Sequence, residues 1–177
     1  MKTFLFLACA ACAFAQAPIR PAAVVNPPSS SARVMVATIE SRLNDRLASI
    51  GPATDRVYIL GLVRGLYLEG YGSVYTAELD LVETPKPNPF RQKISPEEAV
   101  KVHQRKVANL AMLKKSMREM WLDAAASLSG TPDNDQVVIA VRLFYQPWED
   151  ASGLPTQVVM KGPRKAAVTG TLTTEEQ

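Results

Sequence analysis

The sequence predicts an α+β domain in which an antiparallel sheet of about four strands carries two helices on one face. Two segments repeat apolar residues every three or four positions, as amphipathic helices do. Each is followed by a segment rich in β-branched and aromatic residues that suits a pair of strands. The element order is therefore α-β-β-α-β-β, which also suggests one αββ unit used twice. With 47% hydrophobic and 21% charged residues, the 177-residue chain has the composition of a globular protein.

The chain begins with the features of a secretory signal peptide. Lys2 supplies a positive charge, residues 4–15 form an apolar run, and Ala13-Phe14-Ala15 is a small-x-small cleavage site. The run is shorter than the ~20 residues that a membrane-spanning helix needs. We expect cleavage before Gln16, which removes residues 1–15 and leaves a periplasmic or secreted chain without a transmembrane span.

A lipid anchor on Cys9 or Cys12 is the alternative fate of this N-terminus. Both positions lack the context that lipidation needs: the apolar run before Cys9 is very short, and no aliphatic residue lies three places before Cys12. A lipoprotein is therefore the less favoured prediction.

Cleavage of the signal peptide also limits the chemistry of the mature chain. It removes Cys9 and Cys12, the two cysteines of the sequence, and leaves His103 as the single histidine. Thiol catalysis and disulfides are then excluded, and a zinc site is disfavoured because such sites combine several nitrogen or sulfur ligands. We expect no metal and no cofactor. The formal net charge is +3, or +2 after Lys2 is lost, which gives no reason to expect a nucleic-acid partner.

A proline-rich tether precedes the first helix. Residues 16–31 carry four prolines and several serines, a composition that disfavours helix and sheet and favours an extended chain. The apolar period then changes, and it predicts a helix from Ala32 to Ile50 that Gly51-Pro52 ends. The apolar positions that define this helix are Val36, Ile39, Leu43, Leu47 and Ile50.

A β-hairpin is predicted over Val57–Val82, with its turn at Gly70-Tyr71-Gly72. One face of the first strand carries Gly61 and Gly65, which predicts that another backbone, such as a helix, lies close to that face. A glycine-spaced helix over Val57–Leu68 is the alternative. The opposite face of the strand is apolar apart from Arg64 and carries Tyr58, Leu60, Leu62, Leu66 and Leu68.

A long second helix follows a connector that contains Pro85, Pro87 and Pro89. Ser95-Pro96-Glu97-Glu98 has an N-capping serine, a proline at the first helical position and acidic residues in the first turn. The apolar stripe continues to Gly130, so the helix has about 34 residues and a length of ~50 Å. Because a domain of this size is only ~35–40 Å across, we expect the helix to overhang or to bend.

Two further strands complete the prediction. Val137–Tyr145 alternates apolar and polar residues, and Thr156–Lys161 can pair with it through the intervening loop. The folded domain is expected to cover residues 32–168, and the polar residues 169–177 are expected to form a flexible tail.

Catalytic signatures are weak throughout the chain. Gly-x-Ser-x-Gly is absent, and His103 has no acidic residue three or four positions away on its helix. Carboxylates are the remaining option, although Glu78 and Asp80 fall on the face of their strand predicted to be solvated. The five candidate carboxylates for a glycan hydrolase are Glu69, Glu78, Asp80, Glu149 and Asp150.

Aromatic residues near the two hairpin loops indicate binding rather than catalysis. Tyr71 and Tyr75 lie at the glycine turn, and Tyr145 and Trp148 lie at the start of the second loop. Such side chains can anchor a partner, or they can simply cover sheet edges and plug a loop. The sequence thus favours an exported, non-enzymatic domain that binds a protein or a cell-envelope component. The alternative is a carboxylate-dependent hydrolase of envelope glycans.

Overall fold

The structure is a computed structural model that describes residues 30–84, 94–169 and 171–177. The predicted signal peptide, most of the tether and the Pro85–Pro89 connector lie outside these residues. The α+β class is confirmed, and no helix in the described ranges is long and apolar enough to cross a membrane. The elements in order are α1 (Ser30–Ala48), β1 (Tyr58–Leu68), β2 (Gly72–Asp80), α2 (Pro96–Ser127), β3 (Gln136–Leu143), β4 (Gln157–Pro163), α3 (Ala166–Thr169) and β5 (Thr173–Glu176).

The sheet is mixed rather than antiparallel, and it has five strands in the order β1-β2-β3-β4-β5. Most neighbours are antiparallel, but β2 and β3 pair in parallel from Gly72 opposite Gln136 to Leu79 opposite Leu143. The prediction of a wholly antiparallel sheet of about four strands is therefore wrong in detail. The long helix α2 connects β2 to β3, and a crossover of this length returns the chain to the same end of the sheet.

The fifth strand comes from the segment predicted to be a flexible tail. Thr173–Glu176 pairs antiparallel with β4, although its residues are all polar. Its side chains form ion pairs on both sides of the sheet: Glu175 Oε1 lies 2.6 Å from Lys161 Nζ, and Glu176 Oε1 lies 2.7 Å from Lys114 Nζ of α2. These contacts bring residues far apart in sequence together, so local composition did not reveal them.

Both long helices pack on the same face of the sheet, which we call the inner face. Leu43 and Leu47 of α1 meet Val63, Tyr75 and other inner-face residues of the strands in one apolar core. From α2, Leu113, Met117 and Trp121 enter the same core, each almost fully buried. Trp121 Nε1 donates a hydrogen bond of 2.8 Å to the Val137 carbonyl, which satisfies its polar atom inside the core.

The start of α2 has the cap that its sequence predicts. The Ser95 hydroxyl oxygen accepts a hydrogen bond of 3.2 Å from the Glu98 amide, and Pro96 occupies the first helical position. Glu97 and Glu98 then place negative charge beside the positive end of the helix. The hydrogen bonds around Glu97 lower the pKa of that carboxyl group, the largest contribution coming from its own backbone amide.

Helix α1 protects the free edge of β1. The Val63 amide donates to Asn44 Oδ1 at 2.8 Å, and the Gly65 amide donates to Glu40 Oε1 at 2.5 Å. Edge amides that would otherwise be open to another strand are thereby satisfied within the chain. Residues 58–68 form a strand, so the alternative of a glycine-spaced helix in this segment is wrong.

Candidate functional site

The outer face of the sheet, opposite α1 and α2, exposes a row of large apolar side chains on β1 that only Arg64 interrupts. We call this row the leucine stripe. Its members are between 43% and 62% exposed, with Leu62 the most exposed, although side chains of this kind are usually buried. The leucine stripe consists of Tyr58, Leu60, Leu62, Leu66 and Leu68.

Two irregularities in β1 keep the leucine stripe on one face. The pairing with β2 shifts once between Ile59 and Gly61 and again between Gly61 and Arg64. Each shift adds one residue to β1 relative to its partner, and one extra residue alone would move every later side chain to the opposite face. Because there are two, the even-numbered residues on both sides of the irregular segment point outward.

The outer face beside the leucine stripe has a shallow depression whose lining mixes apolar and charged residues. It has a volume of about 570 Å³, and Leu62 and Arg64 form its wall on the side of β1. Glu78 of β2 and Arg142 of β3 lie across it and form an exposed ion pair with a separation of 3.4 Å. The leucine stripe therefore has charged residues along one side, as the rim of a binding surface does.

A second concavity, which we call the acidic cavity, lies where β2 and β3 reach their carboxyl ends. Its volume is about 410 Å³, and it shares Tyr58 and Leu60 with the leucine stripe. Among the residues that the structure describes, its lining has three carboxylates and no basic side chain. Tyr58 and Phe144, which are 45% and 46% exposed, add two aromatic rings. The lining residues are Tyr58, Leu60, Glu78, Asp80, Glu83, Thr84, Phe144 and Gln146.

A buried ionic cluster lies directly beneath the acidic cavity. Lys106 of α2 is 1% exposed, and its Nζ lies 2.7 Å from Asp80 Oδ1 and in contact with Glu149 Oε2. The Nζ also lies 4.9 Å from the centre of the Tyr145 ring, within the range of a cation–π interaction. The cluster thus ties α2 to the end of β2 and to the loop after β3.

Tyr145 belongs to this cluster rather than to an exposed surface. Its hydroxyl donates a hydrogen bond of 2.7 Å to the Pro155 carbonyl. Burial raises the pKa of Tyr145 well above its usual value, and the negative charges of Asp80 and Glu149 raise it further. Tyr145 therefore stays neutral and helps to hold the loop between β3 and β4.

The other three aromatic residues predicted to bind are separated in the structure. Tyr75 is fully buried in the core, where burial raises its pKa to about 12, so it offers no exposed surface. Tyr71 is 44% exposed at the β1–β2 turn, and its carbonyl accepts a hydrogen bond of 2.7 Å from the Gln136 amide. Trp148 is partly buried and lies beyond the other end of β3, so Tyr71 and Trp148 form no common patch.

The candidate carboxylates are also distributed over both ends of the sheet. Asp80 and Glu149 meet at Lys106, whereas Glu69 lies beside Tyr71 at the opposite end. Asp150 Oδ1 accepts a hydrogen bond of 2.9 Å from the Ser152 amide. The Ser152 side chain and this amide together lower the pKa of the Asp150 carboxyl group. In the described ranges, no group of three or more potential ligands is placed to hold a metal ion.

His103 lies at the margin of α2 and contacts the same loop. Its Nδ1 is 2.9 Å from the Asp150 carbonyl oxygen, and the ring is partly exposed. The contact fastens the loop to α2 about one helical turn before the buried Lys106.

Two features of the site escaped sequence reasoning. The apolar face of β1 was visible as alternating leucines, but its exposure follows only when both helices are seen to cover the opposite face. Lys106 stands four residues after Val102 and four before Leu110, so it lies on the apolar stripe of α2. A lysine on the apolar stripe of a helix indicates a buried charge, and this sign was visible in the sequence.

Comparison of the chain with protein-family models, curated proteins and solved structures finds no match. The interpretation of the site therefore comes from its own residues. These residues define two connected features, an exposed apolar stripe and an acidic cavity at one end of it.

Proposed function

We propose that this chain is an exported, non-enzymatic domain that binds a protein partner through the outer face of its sheet. The observation that carries the proposal is the exposure of the leucine stripe. Soluble proteins rarely leave a contiguous apolar patch of several hundred Å² open to water, and such patches are typical of interaction sites. Covering the leucine stripe would release the water that now contacts four leucines and a tyrosine.

The partner is expected to bind by side-chain packing on the face of β1. Strand addition at the β1 edge is disfavoured because the Val63 and Gly65 amides already donate to Asn44 and Glu40 of α1. The charged residues beside the leucine stripe, Arg64 among them, supply a polar rim that orients the partner.

Export is part of the proposal and rests on the signal peptide predicted over residues 1–15. Mass spectrometry of the protein isolated from its natural host checks it directly. A mature chain that begins at Gln16 supports export, and an intact Met1 contradicts it. A lipid on Cys9 or Cys12 would show that the exported chain is anchored to a membrane instead.

Hydrolysis of envelope glycans is the alternative function, and the state of the carboxylates disfavours it. Asp80 Oδ1 lies 2.7 Å from Lys106 Nζ, and Asp80 Oδ2 accepts a hydrogen bond of 3.4 Å from the Thr84 hydroxyl. Glu149 contacts the same lysine. A general acid or base needs a carboxylate that can reach its substrate, and these two are held inside the protein.

The binding proposal is tested with charge substitutions in the leucine stripe. The variants Leu62→Glu and Leu66→Glu and the control Val100→Glu are used as baits in crosslinking capture from an envelope extract. Val100 is 56% exposed on α2, so the control adds the same charge at similar exposure in the helical layer. All three should fold, because the substituted side chains are exposed.

We expect wild type and Val100→Glu to capture the same protein and both stripe variants to lose it. Retention of that protein by both stripe variants contradicts the proposal. Glycan cleavage by the mature chain that disappears in Asp80→Asn would favour the hydrolase instead.

A further inference from the structure

The acidic cavity continues the leucine stripe at its Tyr58 end. Tyr58 and Leu60 belong to both, so a segment lying on Leu62, Leu60 and Tyr58 reaches the cavity without crossing polar surface. Residues on one face of an extended chain recur every ~6.6 Å, so one further side chain of such a segment would enter the cavity.

The charge of the acidic cavity selects a positive group. Three carboxylates line it: Glu78, Asp80 and Glu83. Asp80 shares the buried Lys106 with Glu149, and Glu78 has an exposed partner in Arg142 at 3.4 Å. Glu83 is exposed and forms no ion pair with any residue in the described part of the chain. A cation that enters the cavity therefore meets at least one carboxylate, that of Glu83, which no described residue compensates.

The aromatic rings of the cavity favour a cation on an organic stem. Tyr58 and Phe144 are each about half exposed and line the cavity with Leu60. Ring faces attract ammonium and guanidinium groups, and the aliphatic stem of lysine or arginine packs well on apolar side chains. A hydrated inorganic cation would gain nothing from these contacts.

We infer that the partner presents an extended apolar segment followed by a lysine or arginine, whose charged group enters the acidic cavity while the apolar residues cover the leucine stripe. This inference rests on the proposed function. It specifies the chemistry of the partner: apolar side chains on one face and a positive charge at one end.

Fluorescence anisotropy with synthetic peptides tests the inference. The probes are labelled peptides of alternating leucine and serine that end in lysine, arginine, norleucine or glutamate, titrated with the mature chain, residues 16–177. We expect the lysine and arginine peptides to bind at least ~10-fold more tightly than the norleucine peptide. This preference should shrink as salt is raised, because the cavity carboxylates are partly exposed.

Two matched variants show which carboxylate causes the preference for the lysine peptide. Glu83→Gln should reduce the advantage of the lysine peptide to less than ~3-fold, since it removes the unpaired carboxylate and keeps the shape of the side chain. Glu69→Gln changes a glutamate of equal charge at the opposite end of the sheet and should leave the preference intact. Leu62→Glu should abolish the binding of every peptide.

The outcomes separate the inference from the proposed function. Equal binding of lysine and norleucine peptides, both lost in Leu62→Glu, overturns the inference and leaves the binding function standing. Absence of peptide binding together with retention of the envelope protein by Leu62→Glu overturns both. A wild-type dimer in sedimentation that Leu62→Glu converts to a monomer shows that a second copy occupies the leucine stripe, and it also overturns the inference.

Discussion

Lys106 shows how a single buried charge can organise this fold. Its Nζ contacts Asp80 and Glu149, and all three side chains are almost inaccessible to water. Removing the lysine would leave two carboxylates buried without a cation, and an uncompensated buried charge is strongly destabilising. Lys106 therefore stabilises the fold mainly because it compensates the charge of two buried carboxylates.

Substitution of Lys106 should be far more harmful than substitution of a surface lysine. We expect Lys106→Ala to lower the free energy of unfolding by about 3–5 kcal/mol, measured by urea denaturation. Lys161→Ala is the control, since Lys161 pairs with Glu175 where both side chains are more than 40% exposed, and it should cost no more than ~1 kcal/mol. Equal losses in the two variants would show that the buried cluster does not stabilise the protein.

Tyr75 carries a polar atom into the core. Its hydroxyl oxygen is buried and has no partner within 3.5 Å among the described residues. Burial raises the pKa of Tyr75 to about 12, although the nearby Ser73 side chain acts in the opposite direction. Tyrosine in an unfolded chain loses its proton near pH ~10. Between these values the unfolded state binds fewer protons than the native state, so this contribution to stability is complete below pH ~10 and declines towards pH ~12.

Tyr75→Phe should therefore change stability in opposite ways at different pH. At pH ~8 we expect it to be neutral or to stabilise the protein by up to ~1 kcal/mol, because an unpaired buried hydroxyl is removed. Above pH ~10 the variant should lose stability less steeply than wild type. Urea unfolding at pH 8, 10 and 11 measures both effects, and a loss above ~1 kcal/mol at pH 8 would reveal a hydrogen-bond partner for the hydroxyl.

At the scale of elements, strand β1 shows how its two glycines are related to helix packing. Its glycines predict a helix over one face, and α1 does lie there, with Val36 close to Gly65. A Cβ built on Gly65 would lie 2.7 Å from the Tyr75 ring and 2.8 Å from Val36 Cγ1. A Cβ built on Gly61 would meet nothing within 4 Å, so the two glycines have different structural roles.

Alanine substitution should separate these two glycines. Gly65→Ala should destabilise the protein by about 1–3 kcal/mol because it overpacks the contact between α1 and Tyr75. Gly61→Ala should be neutral or add up to ~1 kcal/mol, since it restricts the unfolded chain without a clash. Thermal unfolding of both variants provides the measurement, and equal changes would mean that α1 does not pack tightly against Gly65.

Local patterns predicted most elements closely. The first helix was predicted over Ala32–Ile50 and observed over Ser30–Ala48, and the cap at Ser95 and the turn at Gly70 lie where expected. Helix caps and tight turns depend on neighbours within a few residues, and the sequence displays those neighbours directly. The candidate site was harder to predict from the sequence. Tyr71 is exposed as expected, whereas Tyr75 is a core residue.

At the scale of the whole molecule, the C-terminal residues complete the sheet. Beyond the ladder of β5, the Gln177 carbonyl accepts hydrogen bonds from the Thr156 and Gln157 amides, at 2.5 and 3.2 Å. Without this segment, β4 would become an edge strand with unpaired backbone groups. The last seven residues, 171–177, thus protect one edge of the sheet as α1 protects the other.

Deletion of residues 171–177 should destabilise the protein and promote self-association. We expect a loss of at least ~2 kcal/mol in urea unfolding, because several backbone hydrogen bonds are removed together. Light scattering after size-exclusion chromatography should show oligomers formed through the exposed β4 edge. The double variant Glu175→Gln and Glu176→Gln keeps the strand and loses its ion pairs, so we expect it to have the oligomeric state of the wild type. Larger oligomers in this variant would show that charge, rather than strand pairing, protects the edge.

The sequence by itself determined the class of the fold, both long helices, the first hairpin and the alternation that places five apolar side chains on one face of β1. Tertiary structure alone decided that β2 and β3 run in parallel, that Thr173–Glu176 forms a strand, and that Lys106 is buried while the leucine stripe is exposed. The physical reason is the range of the interactions. Caps, turns and periodicity act between near neighbours, whereas strand direction and burial depend on residues tens of positions apart.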